Sequence, residues 1–185
     1  MSPTPLLLSR WRAAGFLLVA AVLTVLGTAP LAGATSPPSN PTAAGAAWLA
    51  TQVGDNGTLE GFTPGVADYG STLQGIIALA AVGQQPDAAR RMLAAVNADV
   101  EEVAVVAGDD DPGRLALLIL ANVASGEDPT DAGGVDLVAR LQATQRATPD
   151  AEAGLFGAAD PTFDGAFRQG LALLALASVG VDNTA

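Results

Sequence analysis

The chain has 185 residues, 19 of them acidic against 8 basic, for a formal net charge of −11, and it contains no cysteine and no histidine. Without cysteine there is no disulfide, thiol nucleophile or thiolate metal site, and without histidine the commonest general base and metal ligand is gone. All eight basic residues are arginine, and so acidic a surface excludes nucleic acid as a partner, because that needs a basic footprint.

In chain order, the N-terminus reads as a secretory signal. Arg10 and Arg12 supply the positive region, Ala13 to Leu26 an uncharged apolar run, and Ala32-Gly33-Ala34 a small-residue cleavage site. Cleavage after Ala34 removes two arginines and no acid, leaving 151 residues at a net charge of −13, enough for one domain with its own core. The apolar run falls short of the roughly 20 residues that span a bilayer. The protein is therefore expected outside the cell with no stable membrane span, an uncleaved N-terminal anchor being the alternative. Residues 35–41, Thr-Ser-Pro-Pro-Ser-Asn-Pro, form a linker, and 42–185 form a helical domain.

The first helix is expected over Thr42–Val53, followed by a glycine-rich loop to Gly65 with an Asp55-Asn56-Gly57 turn. The second starts at Asp68 as N-cap and stops at Gly83. The third follows Pro86-Asp87, with Ala89, Met92, Leu93 and Val96 on one face and Asp87, Arg90, Arg91 and Asn97 directed away from it. Asp99 to Val106 is ambiguous between strand and short helix, the helix fitting its surroundings better. Asp111-Pro112 opens the next helix, which ends at Gly126. A turn-rich stretch leads to a helix over Val135–Gln145, then a loop over Thr148–Pro161, then a last helix around Leu171.

Leu171-Ala-Leu-Leu-Ala-Leu-Ala-Ser-Val179 repeats seven of nine residues of Leu115-Ala-Leu-Leu-Ile-Leu-Ala-Asn-Val123, and Ile76 to Gly83 is a looser relative. A helix apolar on nearly every face must be wrapped by others. Ala50-Thr51-Gln52 also matches Ala143-Thr144-Gln145, and Gln74-Gly75 matches Gln169-Gly170. An amphipathic helix, a loop and an apolar helix thus recur about three times, in the range of helical-hairpin arrays. The expected fold class is all-α: helical-hairpin repeats in two layers, apolar helices inside and amphipathic ones outside.

Two sets of residues carry a family likeness. One is Ala47-Trp48-Leu49-Ala50-Thr51-Gln52, Asp55-Asn56-Gly57, Gly61-Phe62 and Asp68; the other is Leu141 to Gln145, Gly154-Leu155-Phe156-Gly157, Phe163-Asp164 and Ala166 to Gly180. They resemble the alpha/alpha-toroid repeats of squalene cyclases and protein prenyltransferase beta-subunits, and most closely secreted actinobacterial prenyltransferase and squalene-oxidase repeat proteins. The resemblance implies a partial toroid, since a complete ring has about a dozen helices, roughly twice what this chain supplies. The prenyltransferase zinc ligands include Cys and His, absent here. Asp109-Asp110-Asp111-Pro112 departs from the cyclase Asp-x-Asp-Asp signature, and a thioester would need a cysteine. Cobalamin carriers use the same ring to bind a large ligand without catalysis.

The ligand-binding candidates are Trp48, Phe62, Tyr69, Phe156, Phe163 and Phe167, which either line an apolar cavity or fill turns between helices, and Gln74 and Gln169, which either meet a ligand or cap backbone. Asp109, Asp110 and Asp111 are a general-acid candidate against a solvated loop and helix cap; with Glu127, Asp128 and Asp131 they are a calcium candidate without EF-hand spacing. Asn56-Gly57-Thr58 matches a glycosylation sequon or a plain turn. No catalytic residue, metal or cofactor is assigned. The expected function is a secreted binding or scaffold module for an apolar or large cofactor-like ligand or a cell-surface protein. The alternatives are a terpenoid cyclase or prenyltransferase-like enzyme, and a non-functional fragment of a longer repeat protein.

Overall fold

A computed structural model of the protein describes residues 40–147, 152–158 and 165–181. The expected signal segment, residues 35–39 of the expected linker, Phe163 and parts of the Thr148–Pro161 loop lie outside the described residues. The described chain is mostly helical, with seven helices: α1 (Pro41–Thr51), α2 (Tyr69–Val82), α3 (Pro86–Ala98), α4 (Val100–Ala104), α5 (Pro112–Ser125), α6 (Leu137–Ala143) and α7 (Ala166–Ser178). Both readings of the stretch after Asp99 hold in part. Val100–Ala104 is helical, and Val105–Val106 (β1) pairs antiparallel with Asp109–Asp110 (β2).

Local chemistry sets the helix ends. The side chains of Asn40, Asp68, Asp99, Asp111 and Asp136 accept hydrogen bonds from first-turn amides of α1, α2, α4, α5 and α6, satisfying donors that the helix itself leaves orphaned. The three apolar helices α2, α5 and α7 stop in one way. Gly83, Gly126 and Gly180 take φ of 63°, 80° and 74°. Each donates to the carbonyl three residues back, and the next residue donates to the carbonyl five back. Glycine reaches that left-handed conformation without the Cβ penalty.

These caps define a register. Asp68, Asp111 and Gly165 begin the three helices, and each lies 15 residues before its terminal glycine. Equivalent positions therefore differ by 43 between α2 and α5 and by 54 between α5 and α7. Gly75, Leu118 and Ala172 are equivalent and buried, as are Leu79, Asn122 and Leu176. The seven-of-nine match, which sets Leu115 beside Leu171, is two residues out of this register. Two residues turn an α-helix by roughly 200°. Accordingly Leu115 and Leu118 are fully buried, while Leu174, the sequence match of Leu118, is 56% exposed. The match of Gln74 with Gln169 is out by the same two residues. Thr72 is the counterpart of Gln169: the Leu59 N–H donates to Thr72 Oγ1 at 3.0 Å, and the Phe156 N–H to Gln169 Oε1 at 2.9 Å.

Packing follows the hydrophobic pattern. α5 lies between α2 and α7, and the outer helices α3 and α6 pack on α2 and α5 respectively. Ala89, Met92, Leu93 and Val96 of α3 are all buried. Asn97 differs from expectation: it is half-buried and exchanges amide hydrogen bonds with the buried Asn122 of α5, Nδ2–Oδ1 2.8 and 3.2 Å. α6 is shorter than expected and leaves Gln145 in a bridge with Phe156. α7 is not wrapped all round, since Leu173 and Leu174 are half-exposed. Among the described residues no helix is long and apolar enough to cross a membrane.

The Asp68 cap supports an acid-titration prediction. Hydrogen bonds from the Ser71 hydroxyl and amide, then the Arg114 charge, hold the Asp68 carboxyl below its ordinary value. Its stabilising contribution is complete above the unfolded pKa of about 3.9 and is lost as pH falls through the lower folded value. Asp68→Asn should cost about 0.5–1 kcal/mol at pH 6, and that difference from wild type should vanish toward pH 2. Urea midpoints across this range test it; a difference independent of pH would refute the assignment.

Candidate functional site

The shared register brings one face of three helices to a single cleft of about 400 Å³. Gly70, Gly113 and Phe167 are equivalent positions on α2, α5 and α7, and so are Gln74, Leu117 and Leu171; all six line it. Arg114 and Arg168, again equivalent, line it with Asp111 and Gly165. Two glycines fit closely beside the capping carboxylates, since a Cβ at Gly70 would lie 3.3 Å from Asp68 Oδ1 and one at Gly113 3.0 Å from Asp111 Oδ1.

The charges here are partly committed. Asp111 Oδ1 accepts from the Arg114 N–H at 2.8 Å, and Oδ2 takes Arg168 Nη2 at 3.3 Å. The Ser71 and Arg114 amides at the cleft are thus already served by the Asp68 and Asp111 caps, while Gly165 at the start of α7 supplies no side-chain cap. The Arg114 guanidinium has no carboxylate within ion-pair distance among the described residues. It lies beside Gly70, close enough to Asp68 to act on its carboxyl. Gln74 is an exposed residue of the same lining. Among the described residues the cleft therefore offers a guanidinium, that of Arg114, outside ion-pair distance of any carboxylate, one amide, and an apolar wall of Leu117, Phe167 and Leu171.

Of the sequence candidates, Gln74 and Phe167 meet in this cleft. The others are placed elsewhere. Trp48 is 65% exposed on α1, beside a separate shallow hollow lined by Gln52, Leu59 and Ser71. Phe62 stands fully exposed at the tip of the 60–67 loop, which the Glu60–Ala67 bridge closes. Tyr69 is half-buried and does not line the cleft; burial, then the charges of Glu102 and Asp99, holds its phenol above the ordinary value. Phe156 is a core residue. The Gln169 amide is consumed by backbone, donating to the Phe156 carbonyl at 3.1 Å as well as accepting from its N–H. Phe163 lies outside the described residues.

The acidic run is dispersed among structural tasks. Asp110 accepts three hydrogen bonds from Arg140, at 2.6 to 3.0 Å, and Arg140 also reaches Glu101 at 2.8 Å, tying α4, the hairpin and α6 together. These bonds, the Asp110 contacts first, raise the Arg140 pKa. Asp111 is the α5 cap, and Asp128 holds the Thr130 amide and hydroxyl in its own turn. Among the described residues no three acidic groups come together as a metal site. In the sequon, the Asn56 side chain accepts from the Thr58 N–H, and Thr58 is buried, which fits the turn reading.

Sequence reasoning passed over Arg114, Arg168, Leu117 and the two glycines. The signal was present in the caps: counting from Asp68 and Asp111 places Gly70 over Gly113 and Ser71 over Arg114. Compared with models of protein families, with curated proteins and with solved structures, the chain matches none.

Proposed function

We propose that this chain is an exported helical-repeat binding module of the alpha/alpha-toroid kind, and that its ligand is a compact organic anion with an apolar body. The observation that carries the reading is the cleft itself, where three helices in one register present Arg114 and Gln74 beside Leu117, Phe167 and Leu171. Its volume, about 400 Å³, is at the small end of ligand sites, which favours a compact ligand over a large cofactor. The guanidinium suits a carboxylate or phosphate head by paired hydrogen bonds. The export reading is supported by Arg10, Arg12, the Ala13–Leu26 run and Ala32-Gly33-Ala34. The repeat reading is supported by the common caps of α2, α5 and α7 and by the matching Leu59–Thr72 and Phe156–Gln169 bonds.

Calorimetry with dodecanoate, dodecanol and inorganic phosphate tests the ligand class. Dodecanoate should bind most tightly. Arg114→Gln should weaken it about tenfold, the loss of one charged hydrogen-bond pair, and leave dodecanol unchanged. Equal weakening of both, or no binding by any of the three, would remove the reading.

A further inference from the structure

The register exposes a mismatch between the two ends of the α2–α5–α7 row. α5 has a neighbour on each side, and both its flanks are covered: Ala116, Ile119, Leu120 and Val123 on one, Arg114, Leu117, Ala121 and Ser125 on the other. On α2 the counterparts of the first flank (Leu73, Ile76, Ile77, Ala80) are covered, while those of the second (Ser71, Gln74, Ala78, Val82) are all exposed. On α7 the pattern is reversed. Arg168, Leu171, Ala175 and Val179 are covered, while Gly170, Leu173, Leu174 and Ala177 are exposed. The face left open on α7 is the one that α5 uses to seat α7. The face left open on α2 is the one that α7 uses to sit on α5.

The outer helices repeat the mismatch. α3 packs on α2 and α6 packs on α5, each on the apolar helix that precedes it in the row. α1 precedes α2 in the chain as α6 precedes α7, but the described residues supply no helix before α1 for it to pack on as α6 packs on α5. Trp48 and Leu141 are equivalent, since Thr51 and Thr144 each donate a hydroxyl to their carbonyls, at 2.6 and 2.7 Å. Leu141 is fully buried against its neighbours and Trp48 is 65% exposed.

We propose that a second copy of this chain fills both vacancies, its α7 seated on the α1–α2 edge of the first and the reverse contact made at the other end. Trp48, Ala78 and Val82 of one copy pack on Leu173, Leu174 and Ala177 of its partner, continuing the α2–α5 and α5–α7 contacts across the joint. Neither stripe carries an acidic residue, so the joint forms without burying charge in a strongly acidic chain. A head-to-tail contact that failed to close would add copies without limit; the reciprocal pair satisfies both edges of both copies and stops at two.

The chain has no cysteine, which makes the test clean. Light scattering of the full chain should give twice the protomer mass, and Leu174→Glu should return it to one. Ala78→Cys/Ala177→Cys should be joined by a short thiol-specific bifunctional reagent into a covalent pair, with each single variant giving at least tenfold less. A one-protomer mass at every concentration, or assemblies larger than two, would overturn the proposal. So would cross-linking of Ala177→Cys alone at the yield of the double variant, which would place α7 against α7.

Discussion

Gly133→Ala should destabilise the domain by about 4 kcal/mol, in the range reached only by severe backbone or core damage, while Gly134→Ala next to it should cost about 1 kcal/mol. Both glycines take positive φ, 60° and 82°, so both variants carry the penalty of a left-handed L-residue. They differ in what a Cβ would meet. At Gly134 there is nothing within 4 Å, whereas at Gly133 the added carbon would stand 1.9 Å from the Asn97 carbonyl oxygen. That oxygen belongs to the last turn of α3 and cannot swing aside as a side-chain tip would. The turn before α6 must therefore lift off α3. Urea unfolding of the two variants side by side checks this; equal losses would mean that strain alone, not the close approach, governs the site.

Asn122→Ala should cost about 3 kcal/mol. Asn122 is fully buried, its Nδ2 donates to the Leu118 carbonyl at 2.9 Å, and its amide exchanges two bonds with Asn97. Truncation empties its place in the core and leaves the Asn97 amide without its partner, so the cavity and desolvation penalties add. The register suggests the repair. The residues equivalent to Asn122 are Leu79 and Leu176, both buried in the same layer. Asn97→Ala/Asn122→Leu removes both amides and restores the apolar volume, and replacing both partners of a buried pair is close to neutral. The double variant should recover at least about half of the loss. If it is no more stable than Asn122→Ala, the amide pair has a role that apolar packing does not replace.

Much of the helix layout is legible in the sequence because it is written in local chemistry. Asp68 and Gly83, and Asp111-Pro112 and Gly126, bound their helices where capping preferences place them, since a cap is decided by a few consecutive residues. The α3 face of Ala89, Met92, Leu93 and Val96 is equally plain, because charged residues mark its other side. Nothing marks the rotation of the Ala/Leu helices. Identity between Leu115–Val123 and Leu171–Val179 slides freely along an apolar segment, and only the cap positions show it to be two residues out.

The site was legible at Gln74 and Phe167 but not as a cleft. Aromatic residues and glutamines look alike along the chain whether they line a cleft, as Phe167 does, fill the core, as Phe156 does, or serve the backbone, as Gln169 does. Arg114 reads as a surface arginine until its helix is set beside α2. By itself the sequence determined the helical character, the caps and their stops, and the chemical classes that a chain without cysteine or histidine excludes, because each depends on composition or on neighbours in the chain. Tertiary structure alone decided which flank of each apolar helix is covered, that Asn97 finds Asn122, and that Arg114 faces an open cleft, because these depend on distances between residues 25 to 100 positions apart, which cooperative packing of the whole row sets.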